Sequence, residues 1–254
     1  MDDILKLDGI YLTYQTKYGE TNALSNLSFT VKETEFISII GPSGSGKTTI
    51  LSLIAGLIKA SKGKVIFKGE EIKKTSENIG YLLQRDELFS WRTIEKNVFL
   101  PLEIKKCNTL ENRNRVLSLI EKYALKDFKK SFPSELSGGM RQRVALIRTL
   151  ATSPDLLLHD EPFSALDAQT RLKVCDDVYS IIKGEKKTAI LVTHDISEAI
   201  SLSDRIIVLT KRPATVLSEH VVNFDKSLSP LKRREQKGFS KLFERLWGEL
   251  NDER

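Results

Sequence analysis

Residues 41–48 read Gly41-Pro42-Ser43-Gly44-Ser45-Gly46-Lys47-Thr48, a composition suited to holding phosphate. Glycines let the backbone curl until successive N–H groups point at one anion. Lys47 adds a point charge for the outer phosphates, and the Thr48 hydroxyl, followed by Thr49, is placed for Mg2+. An acidic pair closes the apolar run Leu156-Leu157-Leu158-His159-Asp160-Glu161. At a strand tip beside a phosphate cradle, Asp160 is placed to hold the metal through water, and Glu161 to accept a proton from an attacking water. A third stretch, Leu136-Ser137-Gly138-Gly139-Met140-Arg141-Gln142-Arg143, opens a helical pattern. The N–H groups at its start face outward as another anion site.

These residues need a frame. Phe36–Ile40, Tyr81–Leu83, Leu156–His159, Thr188–Thr193 and Arg205–Leu209 are short apolar runs, mostly followed by helical patterns. Such alternation predicts a parallel sheet covered on both faces. A helix is expected over Thr49–Leu57, with its N-terminus at the phosphate cradle. Leu5–Tyr14 and Leu27–Val31 read as an antiparallel edge region, and Val216–Phe224 as one more strand. Between Asp86 and Leu150 strands stop, and Asn108–Leu125 and Ser137–Leu150 take helical spacing, which marks a helical insertion. The expected division is 1–225 as one nucleotide-binding domain, with its helical subdomain near 86–150, and 226–254 as a tail. In that tail Leu231–Leu250 forms an amphipathic helix. Its apolar stripe is expected to pack on the chain's own sheet region; contact with a twin subunit or a membrane surface is the alternative, suggested by Lys232, Arg233, Arg234 and Lys237.

Composition narrows the partners. Forty basic residues against 34 acidic ones give a formal charge of +6, spread along the 254 residues. That mild excess calls for no nucleic acid, and suits an anionic membrane surface or an acidic loop equally well. Cys107 and Cys175 lack metal-ligand spacing, so a reducing compartment is expected. The acidic start Met1-Asp2-Asp3 is not what a secretory leader is expected to show, and the longest apolar run, Ile50–Ile58, falls far short of the roughly 20 residues that a membrane span needs.

In order and spacing, the phosphate cradle, Gln84 after a strand, Leu136–Arg143, Asp160-Glu161-Pro162, Ser164-Ala165-Leu166-Asp167 and Thr193-His194-Asp195 resemble the ATP-binding subunits of ABC transporters. The resemblance runs from about Leu5 to Leu217. It implies an α/β fold, the ABC ATPase cassette: a P-loop NTPase core with a parallel sheet, an antiparallel β edge region and an inserted helical subdomain. It implies ATP and Mg2+. Tyr14, rather than Tyr11, is implied as the aromatic that stacks on adenine, and Gln84 as the residue that touches Mg2+ and water. Ser137, Gly138 and Gly139 would cap a γ-phosphate held by another subunit, Asp167 would signal across the interface, and His194 would contact the γ-phosphate. A separate helical lobe cannot bring Ser137 to its own chain's cradle. A second copy must therefore supply it, giving a head-to-tail pair with two ATP molecules at the seam.

Trp91–Val98, Glu161–Arg171 and Ser203–Leu209, with Arg212-Pro213 beyond, are similar to importers of the nitrate, sulfonate and taurine group, whose relatives also carry thiamine precursors. An importer implies membrane permease subunits, an extracytoplasmic solute-binding protein and a peripheral place on the cytoplasmic face. The aromatic segment Gln84–Leu102 is the expected docking place for a permease helix. The rival reading, a soluble ABC ATPase acting on nucleic acid or ribosomes, commonly brings coiled coils, zinc motifs or tandem cassettes, which this sequence lacks. Two positions depart from the family pattern. Thr34 stands where Gly is usual, so a turn without positive φ is expected there. His159 precedes Asp160, and strand alternation directs it away from the nucleotide as a hydrogen-bonded core histidine.

Overall fold

The computed structural model describes residues 3–17 and 19–252; Met1-Asp2 and the last two residues of the 226–254 tail lie outside them. Ten strands are described: β1 (Asp3–Thr16), β2 (Gly19–Lys32), β3 (Phe36–Ile40), β4 (Lys62–Phe67), β5 (Glu70–Glu71), β6 (Ile79–Leu82), β7 (Leu156–Asp160), β8 (Thr188–Val192), β9 (Arg205–Leu209) and β10 (Val216–Val221). The helices are α1 (Lys47–Ile54), α2 (Ile94–Ile104), α3 (Leu110–Lys122), α4 (Gly138–Leu150), α5 (Ala168–Gly184), α6 (Ile196–Leu202), α7 (Pro230–Arg233) and α8 (Phe239–Asp252). Strands β2-β1-β4-β5 form an antiparallel sheet, and β10-β9-β3-β8-β7-β6 a second sheet in which only the β9–β10 pair is antiparallel. The expected α/β architecture is present.

Hydrophobic burial explains the layering. β3 and β8 are buried throughout, as strands covered on both faces must be. One core lies between the antiparallel sheet, α1 and one face of the parallel sheet. Another joins the opposite face to α2–α5, so the helical lobe packs on the sheet through Phe36, Leu157 and Leu191. The C-terminal ends of β3, β6, β7 and β8 converge on one edge, where α/β sheets bind ligands.

Three expectations need correction. Thr34 takes φ +60°, the left-handed region expected to be avoided. Its N–H donates to Thr188 Oγ1 at 2.9 Å, and the turn closes through Glu35 N–H to the Lys32 carbonyl at 3.2 Å. Tertiary hydrogen bonding thus overrides the preference of a β-branched residue. His159 is buried and faces away from the nucleotide edge, but its Nε2 has no hydrogen-bond partner. Its register neighbours are Leu82 and Leu191, so burial holds its pKa down at about 4, as a neutral ring. The C-terminal helix is not continuous over 231–250. Ser229 caps α7 at Pro230, and Gly238, at φ +99°, separates it from α8.

α8 buries Leu246 and Phe239 against Ile196, Ile200 and Val222, so its apolar stripe does pack on its own domain. Arg233, in α7, is buried as well; it donates to Tyr179 Oη and to the Ser201 carbonyl. Among the described residues no helix is long and apolar enough to cross a membrane.

Candidate nucleotide site

The loop from Gly41 to Gly46 joins β3 to α1. Gly44 and Gly46 adopt φ +77° and +90°, where glycine is needed for the chain to curl. A Cβ on Gly41 would meet Ser45 Oγ at 2.9 Å and Leu209 Cβ at 3.0 Å, so close packing fixes the first glycine as well. Lys47 Nζ donates to the Gly41 and Pro42 carbonyls at 3.0 Å each. Burial lowers its pKa, opposed by the nearby charges of Glu161 and Asp160. A cavity of about 930 Å³ opens over this loop, lined by Gly41, Pro42, Ser43, Gly44, Gly46, Lys47, Thr48 and Thr49, and by Glu161 and His194 from neighbouring strand ends.

The acids at the end of β7 have different surroundings. Thr48 donates to Asp160 Oδ1 at 3.0 Å, and Tyr81 to Oδ2 at 3.2 Å. Burial raises the Asp160 pKa, partly offset by these two hydroxyls. Burial, with the Asp160 charge, also raises that of Tyr81. Glu161 turns the other way. Its backbone sits at φ +46°, its N–H donates to the Val192 carbonyl at 2.9 Å, and its Oε2 lies 3.0 Å from His194 Nδ1. Thr48–Asp160 and Glu161–His194 thus form two separate polar pairs, of which Thr48, Glu161 and His194 line one cavity.

Gln84, just beyond β6, donates to Ser164 Oγ at 3.1 Å, and Ser164 donates to the Glu161 carbonyl at 3.0 Å. Gln84 therefore reaches the backbone of the Glu161 turn and not the Thr48–Asp160 pair. Tyr14 is exposed, with its hydroxyl 3.1 Å from Thr49 Oγ1. Ser137 caps α4, accepting from Met140 N–H at 3.3 Å. Gly138 and Gly139 lie so close to Leu166 and Val174 that a Cβ would stand 3.0 Å and 2.8 Å from them. Asp167 caps α5, accepting from Thr170 N–H at 3.0 Å; hydrogen bonds from the Thr170 side chain and backbone lower its pKa. Ser137, Gly138, Gly139 and Asp167 do not line the cavity over their own chain's loop.

Sequence reasoning missed several supporting residues. From sequence Tyr81 reads only as part of a strand, yet strand alternation brings its hydroxyl to Asp160. Arg212 donates through Nε and Nη2 to the Gly44 carbonyl at 3.1 and 2.9 Å, bracing the phosphate loop from beyond β9. Arg171 donates to the Leu166 carbonyl at 2.9 Å and pairs with Asp195 at 3.5 Å and with buried Glu198 at 3.8 Å, joining the Asp167 segment to the turn after His194. On the lobe, Arg141 pairs with Asp86 at 2.9 Å, and Arg148 donates to the Asp86 and Glu87 carbonyls at 2.7 and 2.8 Å. The Ser137 helix is therefore tied to the segment that follows Gln84. The only local signal for these arginines was their place inside or beside the motif segments.

Comparison with known proteins identifies the family. The family model described as ABC transporter matches residues 24–164. An ABC transporter ATP-binding protein of Bacillus subtilis, YtlC, is 46% identical over 250 residues, covering 97% of this chain and 95% of its own length. The aliphatic sulfonates import ATP-binding protein SsuB of a Bacillus cereus strain is 40% identical over 212 residues, covering 84% of this chain and 83% of its own. The taurine import ATP-binding protein TauB of Rhizobium johnstonii is 37% identical over 222 residues, covering 87% and 85%. Among solved structures, the dimeric ATP-binding cassette MJ0796, in a post-hydrolysis state bound to ADP and Pi, superposes with a TM-score of 0.72 at 34% identity, covering 87% of this chain and all of that one. The chain belongs to the ABC transporter family, as an ATP-binding subunit similar to those of the sulfonate and taurine importers.

Proposed function

We propose that this chain is the Mg-dependent ATPase that energises an importer for a small solute of the sulfonate, nitrate or taurine kind, or for a thiamine-precursor-like one. The observation that carries this reading is the meeting of the Thr48–Asp160 and Glu161–His194 pairs beside the phosphate loop. Thr48 and Asp160 supply the few hard oxygen ligands that suit Mg2+, which keeps waters and takes its remaining partners from phosphate. They would hold that ion, whose chemistry is to draw charge from the phosphate oxygens. The loop N–H groups and Lys47 bind the outer phosphates, and Tyr14 offers a face to the base. Glu161 accepts the proton of the attacking water, and His194 steadies its carboxylate. Gln84, through Ser164, links that turn to the lobe.

Ser137–Gly139 do not line the cavity of their own chain, which supports a second copy bringing them to close the site. The importer reading rests on the sulfonate and taurine relatives, at 40% and 37% identity. It implies permease subunits, a solute-binding protein and a place on the cytoplasmic face. Turnover measured with Mg-ATP, with EDTA and in Glu161→Gln tests the chemistry. A positioned base contributes roughly 10²–10⁴-fold, so the variant is expected to bind ATP and lose turnover by about that factor. Near-normal turnover would remove Glu161 from this role.

A further inference from the structure

α8 is held to the domain by one stripe, with Leu246 fully buried and Phe239 nearly so. Beside that stripe Phe243 and Leu250 are partly buried against the same cluster, and Trp247 is left exposed on the outer side. The Phe243 and Trp247 rings stack at 6.2 Å with an interplanar angle of 11°, yet Trp247 stays 51% exposed. Trp247, Leu250 and Asn251 line the same cavity as the phosphate loop, Glu161 and His194. α8 packs on α6, which begins two residues after His194. The end of the helix therefore stands at the rim of the surface on which the reading above places a second copy.

We infer that the face of α8 that exposes Trp247 is part of the seam between two copies of this chain and is covered when ATP draws them together. This rests on the shared-site reading. Continuity selects the occupant, because a partner that brings Ser137 to this cavity must pass over its rim. The half-exposed indole is the kind of large, rigid anchor that interface centres use. A membrane surface fits less well. Helices that lie on anionic lipid carry Lys and Arg along the polar face, whereas α8 has Lys241 and Arg245 against Glu244, Glu249 and Asp252. Of the basic residues upstream, Arg233 is buried within α7, and Gly238 separates Lys232, Arg234 and Lys237 from α8.

The chain has two tryptophans, so Trp91→Phe leaves Trp247 as the sole indole reporter. In a Trp91→Phe/Glu161→Gln chain, size and Trp247 emission are followed together as Mg-ATP is added. The expected result is pairing, with a blue shift and protection from acrylamide that follow the same protein-concentration dependence. Adding Ser137→Arg should abolish both. Trp247→Ala in the Glu161→Gln chain should raise the concentration needed for pairing about tenfold, as loss of an interface aromatic does, with partial rescue by Trp247→Phe. A dimer with unchanged Trp247 emission overturns this inference alone. A shift that persists in unpaired Ser137→Arg chains assigns Trp247 to the nucleotide instead. A shift produced by phosphatidylglycerol vesicles without nucleotide, and not by pairing, assigns it to the membrane. Absence of any pairing overturns both the inference and the shared-site reading.

Discussion

Asp160 and Glu161 are neighbours whose surroundings separate their work. Asp160 sits between the Thr48 and Tyr81 hydroxyls, while the positive φ of Glu161 turns its carboxylate to His194. The acidic pair was legible because an apolar strand ending in two carboxylates has few other uses beside a phosphate loop. The braces were not, because Tyr81, Arg171 and Arg212 come from segments whose spacing gives no sign of what they will meet. His159 was half legible: alternation gave its direction, but the absence of a partner for Nε2 depended on which leucines the neighbouring strands bring. That burial has a consequence for stability. The folded-state pKa, about 4, lies below the ordinary 6.5, so the unfolded chain binds the proton more tightly. The contribution of a neutral His159 is fully present above about pH 6.5 and is lost as pH falls through about 4. Between pH 7.5 and 4.5, urea unfolding of His159→Leu beside the unsubstituted chain should show their stability difference shifting in favour of the variant by about 2–3 kcal/mol. A difference independent of pH would mean that the ring accepts a proton in place.

At the level of elements, strands buried on both faces declared themselves through continuous apolar runs, and the lobe through helical spacing. Elements at the margins did not. β2 extends to Gly19 through polar, mostly exposed residues whose pairing with β1, and not their composition, makes them a strand. β5 has two residues, too few for any period. The break between α7 and α8 was signalled by Ser229-Pro230 and Gly238, but the apolar periodicity of the tail continues across it. The Thr34 turn shows tertiary contact overriding local preference. Left-handed backbone costs a non-glycine residue about 1–2 kcal/mol, while glycine costs about 0.4–1 kcal/mol through the unfolded chain. Thr34→Gly should therefore raise stability by about 0.5–1 kcal/mol, read as a melting temperature higher by about 1–4 °C. A lower melting temperature would show that the Thr34 side chain contributes more than its backbone strain costs.

Across the whole molecule, the parallel sheet brings the phosphate loop, the acids, His194 and Gln84 to one edge, and the lobe carries Ser137 elsewhere. The lobe also presents a candidate docking surface for a permease. Trp91 is 73% exposed, against the Phe89 ring at 4.8 Å. Its loop is held by buried Asn97, which donates to the Phe89, Arg92 and Thr93 carbonyls at 3.1, 3.0 and 3.1 Å. Because Arg141 and Arg148 bind the same segment from the Ser137 helix, a rigid-body turn of the lobe would move docking surface and anion site together. Cysteines placed between Arg85 and Arg92 should crosslink to a cytoplasmic loop of the permease, and Trp91→Ala should impair assembly and uptake. Crosslinks confined to this chain, with uptake intact, would place docking elsewhere. The central claim is that one ATP is held between the phosphate loop of one copy and Ser137 of another. Sedimentation of Glu161→Gln with and without Mg-ATP tests it most directly. The expected result is a monomer that becomes a dimer only with Mg-ATP, and that stays monomeric when Ser137→Arg is added; a monomer under both conditions, or a dimer indifferent to nucleotide and to Ser137, would contradict it.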